Sequence, residues 1–112
     1  MYLLLIEKIG IQAMTFKNEA ALAKLFHKRL SPHGFYMRVE NGVGVGFPDC
    51  IFIRSGVVTF IELKKDSKAV NSNSATRVAQ REWRRVCEEN GGAYIIVSWD
   101  DDLEAVFKSL LI

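Results

Sequence analysis

Two short stretches of this sequence carry residue types that could do chemistry together. Pro48-Asp49 stands at the mouth of one apolar run, and Glu62-Leu63-Lys64 follows thirteen residues after Asp49 at the end of the next. Side chains alternate along a strand, so Glu62 and Lys64 share one face while Leu63 takes the other. A tight hairpin between the two runs would bring Asp49 close to both. Two carboxylates do not share a site cheaply without a cation. With a lysine beside them they suit Mg²⁺ or Mn²⁺, which take hard oxygen ligands and keep positions open for water and phosphate. Such an ion would stabilise charge on a phosphate and lower the pKa of an attacking water, with Lys64 orienting that water. The same spacing also fits a plain salt bridge at two strand ends.

Local patterns place these residues on elements. Residues 18–30 read as a helix capped by Asn18, with Leu22, Leu25, Phe26 and Leu30 at helical spacing and Ser31-Pro32 as its stop. Residues 35–39 are extended in character, and the glycine-rich 41–46 stretch leads into Phe47-Pro48-Asp49. Residues 50–53 and 57–64 read as two strands joined through Arg54-Ser55-Gly56, short enough for an antiparallel hairpin. A polar 65–74 segment precedes a helix near 75–90, where Ala79, Trp83, Val86 and Cys87 form the apolar stripe and Gly91-Gly92 stop it. Residues 93–97 read as a buried strand. Asp100 is placed to cap a last helix, with Asp101, Asp102 and Glu104 in its first turn and Leu103, Val106, Phe107 and Leu110 facing inward. The order α-β-β-β-α-β-α predicts a single α/β domain over 1–112, a mixed sheet flanked by helices.

Composition agrees and narrows the function classes. The 112 residues are 49% hydrophobic and 25% charged, which fits one globular domain and excludes disorder, a fibrous repeat and a disulfide-stapled miniprotein. The net charge of +2 hides an asymmetry: residues 1–85 carry 14 Lys/Arg against 7 Asp/Glu, residues 86–112 carry 1 against 6. A basic surface of this kind suits phosphate contact and equally a solvated face. On the 75–90 helix Arg77, Arg81 and Arg84 recur at i, i+4 and i+7, with Arg85 beside them, away from the apolar stripe. With Lys64, Lys65 and Lys68 they could contact a DNA backbone and make binding salt-sensitive.

Other chemistries find no pattern. The glycine run lacks the preceding strand, following helix and Lys-Ser/Thr ending of a phosphate loop, so no nucleotide cofactor is expected. His27 and His33 have no cysteine near them and make no zinc site, and no Ser/His/Asp motif occurs. Cys50 and Cys87 read as small buried apolar residues, which suits a reducing cytoplasm. The apolar run at 1–6 is too short to span a bilayer. It and the C-terminal helix are candidate contacts for a second copy.

Gly46-Phe47-Pro48-Asp49, the strand 50–53, Phe60-Ile61-Glu62-Leu63-Lys64 and Gln80-Arg81-Glu82-Trp83 together resemble the PD-(D/E)XK nuclease superfamily, and within it most closely the VRR-NUC domain family. The similarity covers roughly residues 18–98 and rests on the order and spacing of short motifs. It implies a restriction-endonuclease-like αβββαβ core. Asp49 and Glu62 would be metal-binding carboxylates, the Leu63 backbone carbonyl a further ligand, Lys64 the catalytic lysine, and Gln80 a support for the lysine or the water. Glu19 matches an acidic residue on the first helix that can join the metal; it equally suits a first-turn residue complementing the helix dipole. Stand-alone domains of this size resemble minimal phage and bacterial members. Those imply a Mg²⁺- or Mn²⁺-dependent homodimer cutting branched DNA such as four-way (Holliday) junctions. A flap or restriction-like nuclease, and a non-catalytic DNA-binding module of the same fold, are the alternatives.

Overall fold

The computed structural model describes residues 17–39, 46–70 and 75–112. The 1–6 run, residues 41–45 of the glycine stretch and residues 71–74 of the 65–74 segment lie outside the described residues. In chain order the elements are α1 (Glu19–Leu30), a 3₁₀ turn (Ser31–His33), β1 (Phe35–Arg38), β2 (Cys50–Arg54), β3 (Val57–Lys64), a one-turn α2 (Ser67–Val70), α3 (Ala75–Glu89), β4 (Ala93–Ser98) and α4 (Leu103–Leu110). The four strands form one mixed sheet in the order β1-β2-β3-β4, antiparallel except for the parallel β3–β4 pair. This is the expected α/β, restriction-endonuclease-like αβββαβ architecture.

Local chemistry sets the element ends. Extended Asn18 accepts the Ala21 N–H at 2.8 Å and so caps α1, while His27, Lys28 and Arg29 complement the negative end of its dipole. The β2–β3 hairpin closes on Ser55 and Gly56, both in the left-handed region at φ 51° and 80°, which matches the twist of the flanking strands. The parallel return to β4 needs a crossover, and α2 with α3 supplies it.

One sheet face carries the apolar core. Cys50, Phe52, Ile61, Leu63 and Val97 pack against Leu22, Ala23, Phe26 and Leu30 of α1 and Phe107 of α4. The Phe26 and Phe107 rings lie 4.8 Å apart. Val106 and Leu110 are packed against this core, so the C-terminal helix keeps its apolar side inside the fold. Exposed apolar residues of the sheet lie mostly on the other face, at Phe35, Met37, Ile53 and Val58, with Val57 exposed at the hairpin end of the core face.

Two details differ from the sequence-based expectation. Asp102, not Asp100, caps the last helix, accepting the Ala105 N–H at 3.1 Å. Asp100 is drawn off to the Ser67 N–H and Asp101 to the Ser98 N–H, each at 2.8 Å. On α3 the inward side only partly follows the expected apolar stripe: Cys87 is buried as expected, but Arg77 and Gln80 are buried beside it, whereas Trp83 and Val86 stay more than a third exposed. The reason lies beneath the helix, where the sheet presents Glu62 and Lys64 as well as Phe60.

Candidate functional site

The hairpin register brings the two carboxylates together. Cys50 pairs with Ile61, so one step beyond the start of β2 Asp49 lies opposite Glu62, and opposed residues of an antiparallel pair project from one face. Asp49 also closes the ladder, because its Oδ2 accepts the Leu63 N–H at 2.8 Å, a donor that β2 is too short to reach. The N–H and C=O of a strand residue point to the same side, so the Leu63 carbonyl also points to the β2 side of β3. Pro48, next in line to face Leu63, has no N–H with which to bond that carbonyl.

Gly46 lets the chain enter this turn. Its φ is +84°, and a Cβ there would lie 2.6 Å from the carbonyl carbon and Cβ of Ala79. Only glycine therefore allows the 46–49 segment to lie directly on α3. Phe47 then packs edge-on against both Trp83 and Phe60, pinning the segment between helix and sheet.

Glu62 is 1% exposed. Its Oε1 lies 4.0 Å from Lys64 Nζ, and its Oε2 accepts the Tyr94 O–H at 3.4 Å. Burial, reinforced by a hydrogen bond and charge repulsion from Asp49, pushes the Glu62 carboxyl up to about 9, against the smaller opposing pull of Lys64 and Tyr94. Burial also raises the Tyr94 phenol. Gln80, 4% exposed, lies on the sheet-facing side of α3, and its Oε1 has no hydrogen-bond partner among the described residues. Asp49, Glu62 and Lys64 thus come together as the spacing predicts, with Gln80 buried in the helix that covers their face.

Other expected residues lie elsewhere. Arg77, expected on the exposed basic face, is 7% exposed and close enough to Tyr94 for its charge to act on the phenol. It belongs to the layer between α3 and the sheet because the side of the helix it occupies faces polar groups. Arg81, Arg84, Lys65 and Lys68 are exposed, and Arg84 pairs with Glu88 at 3.2 Å. Glu19 is exposed in the first turn of α1, the helix on the opposite sheet face from Glu62, where it complements the dipole. Among the described residues no group of three or more His, Cys, Asp and Glu forms a metal-holding cluster. Cys50 and Cys87 are free and buried, as expected. Tyr94 escaped sequence reasoning; the available signal was a tyrosine in a buried strand, whose hydroxyl needs a partner.

The chemistry of the donors suits a hard divalent cation. Two opposed carboxylates and a neighbouring carbonyl offer oxygens alone, and a cation bound between them would displace the proton that burial and Asp49 favour on Glu62. The orphaned Gln80 oxygen adds a polar atom with unused accepting capacity. Among the described residues no helix is long and apolar enough to cross a membrane. Comparison with known protein families, with curated proteins and with solved structures finds no match for this chain.

Proposed function

We propose that this protein is a divalent-metal-dependent DNA endonuclease that hydrolyses phosphodiester bonds by water attack. The observation that carries the reading is the buried Glu62 opposed to Asp49 with Lys64 alongside, at the end of an interior strand of a nuclease-like sheet. Asp49, Glu62 and the Leu63 carbonyl would hold Mg²⁺ or Mn²⁺. A bound ion of this kind supplies charge stabilisation to the phosphate and lowers the pKa of water. Lys64, whose Nζ lies 4.0 Å from Glu62, would orient the attacking water, and Gln80 would offer its unpartnered oxygen to the lysine or that water. Exposed Lys65, Lys68, Arg81 and Arg84 would contact the flanking phosphates.

The motif resemblance to VRR-NUC nucleases supports a finer version, in which a homodimer acts on branched DNA, four-way junctions above all. Paired active sites related by a two-fold axis suit paired cuts on a symmetric junction. The test is cleavage of four-way, flap and linear duplex DNA with and without Mg²⁺ or Mn²⁺, with sedimentation analysis of the free protein. Metal-dependent cutting of the junction, abolished in Asp49→Ala and Lys64→Ala, is expected. Variants that cut as fast as wild type overturn the site. Preferential cutting of flap or linear DNA overturns the junction assignment, and binding without cutting reduces the protein to a DNA-binding module.

A further inference from the structure

The interface between α3 and the sheet is polar where a helix covering a sheet ordinarily buries an apolar stripe. Glu62, Tyr94, Arg77 and Gln80 are all buried in it. Tyr94 stands on β4 opposite Phe60 of β3 in the parallel register, two residues before the level of Glu62 and on the same face. Its hydroxyl approaches Oε2 of Glu62 at 3.4 Å, while Lys64 Nζ lies 4.0 Å from Oε1. The two carboxylate oxygens therefore meet different groups. The terminal torsion of a glutamate is broad and nearly two-fold, so packing alone holds the carboxylate plane loosely. A directional donor on one oxygen restrains it.

We propose that Tyr94 is a positioning residue of the metal-binding site: its phenol orients the Glu62 carboxylate so that the group presents its remaining acceptor capacity to the cation shared with Asp49. The inference rests on the reading of Asp49 and Glu62 as cation ligands. It assigns Tyr94 no contact with the cation or with DNA. Groups that orient a metal-ligating carboxylate typically contribute about 10- to 100-fold to metal affinity, and at 3.4 Å this bond belongs at the lower end.

The experiment is a Mn²⁺ titration of the full chain, followed through the electron paramagnetic resonance signal of free Mn²⁺, for wild type, Tyr94→Phe and Asp49→Asn. Tyr94→Phe keeps the ring and removes the donor; p-fluorophenylalanine incorporated at position 94 does the same at nearly the full tyrosine volume and replaces it should Tyr94→Phe fail to fold. Weakening of Mn²⁺ affinity by about tenfold is expected. In cleavage assays the half-saturating Mn²⁺ concentration should rise by the same factor, while kcat at saturating Mn²⁺ stays near wild type. A purely structural role would lower the melting temperature and leave the metal affinity of the folded fraction unchanged. Unchanged Mn²⁺ affinity in the tyrosine variant, with binding lost in Asp49→Asn, overturns the role of Tyr94 and leaves the metal site standing. Failure of wild type to bind Mn²⁺ overturns both.

Discussion

Replacing Glu62 with glutamine should stabilise the metal-free protein and flatten its pH dependence. The Glu62 carboxyl is raised to about 9 from the ordinary glutamate value of 4.5, first by burial and then by Asp49. Below the lower value both folded and unfolded chains hold the proton. Between the two values the unfolded chain releases it and the folded chain does not, so stability falls as pH rises, by at most about 1.4 kcal/mol per pH unit for one proton. Accumulated to neutral pH, the loss reaches an upper bound of about 3 kcal/mol. Glutamine preserves the shape, can accept from Tyr94 and does not titrate. An increase of about 1–3 kcal/mol at neutral pH is therefore expected for Glu62→Gln, equivalent to about 4–12 °C in melting temperature for a domain of this size.

Chemical denaturation in EDTA from about pH 5 to about pH 9 reads both the offset and the slope. Wild type should lose stability across that window and the variant should lose less. If the proposed site holds the ion, saturating Mn²⁺ should reverse the order, because an ion bound to the folded state at a hundred times its Kd would add about 2.7 kcal/mol to wild type, an increment that the variant, with one ligand weakened, would largely lack. If Glu62→Gln is less stable than wild type in EDTA and keeps the same pH slope, Glu62 is ionised in the folded protein and balanced by Lys64. Burial and Asp49 would then not hold the proton on Glu62.

Two further pairs of substitutions separate positioning from surface contact. Gly46→Ala meets Ala79 at 2.6 Å and must hold a non-glycine residue at φ +84°, so a loss of about 1–3 kcal/mol in denaturation is expected. Because the clash displaces the segment carrying Asp49, cleavage should fall further than in Asn18→Ala, which loses a helix cap worth about 1 kcal/mol on the opposite sheet face. Arg81→Ala should leave stability unchanged and lower the magnitude of the salt dependence of DNA binding by about one unit of slope, whereas Arg77→Ala should lower the melting temperature, since one guanidinium is exposed and the other buried. Equal effects of the two on melting temperature and salt slope would contradict the inward placement of Arg77.

The legible parts of this fold are those in which one residue decides a local conformation. Asn18 caps a helix with its own side chain, and Ser55-Gly56 closes a hairpin through its own dihedral angles. From that hairpin the meeting of Asp49 with Glu62 follows, because a register is inherited along a strand pair. Features decided by distant partners were not legible. Three successive aspartates, Asp100 to Asp102, compete for three N–H groups, and which one caps α4 depends on where Ser67 and Ser98 are delivered. Tyr94 reaches Glu62 through a parallel pairing set by the whole α2–α3 crossover, which no spacing in the sequence reveals. The inward side of α3 was misjudged for a related reason. Apolar periodicity identifies the buried side of a helix only where the surface beneath it is apolar, and here that surface holds Glu62 and Lys64, so Arg77 and Gln80 turn in while Trp83 and Val86 move to the margin. Pattern and structure thus part company at the polar layer around Glu62. Burying a carboxylate, a guanidinium and an orphaned amide in a small domain costs stability, and a local violation of this kind is characteristic of residues held in place for chemistry rather than for packing.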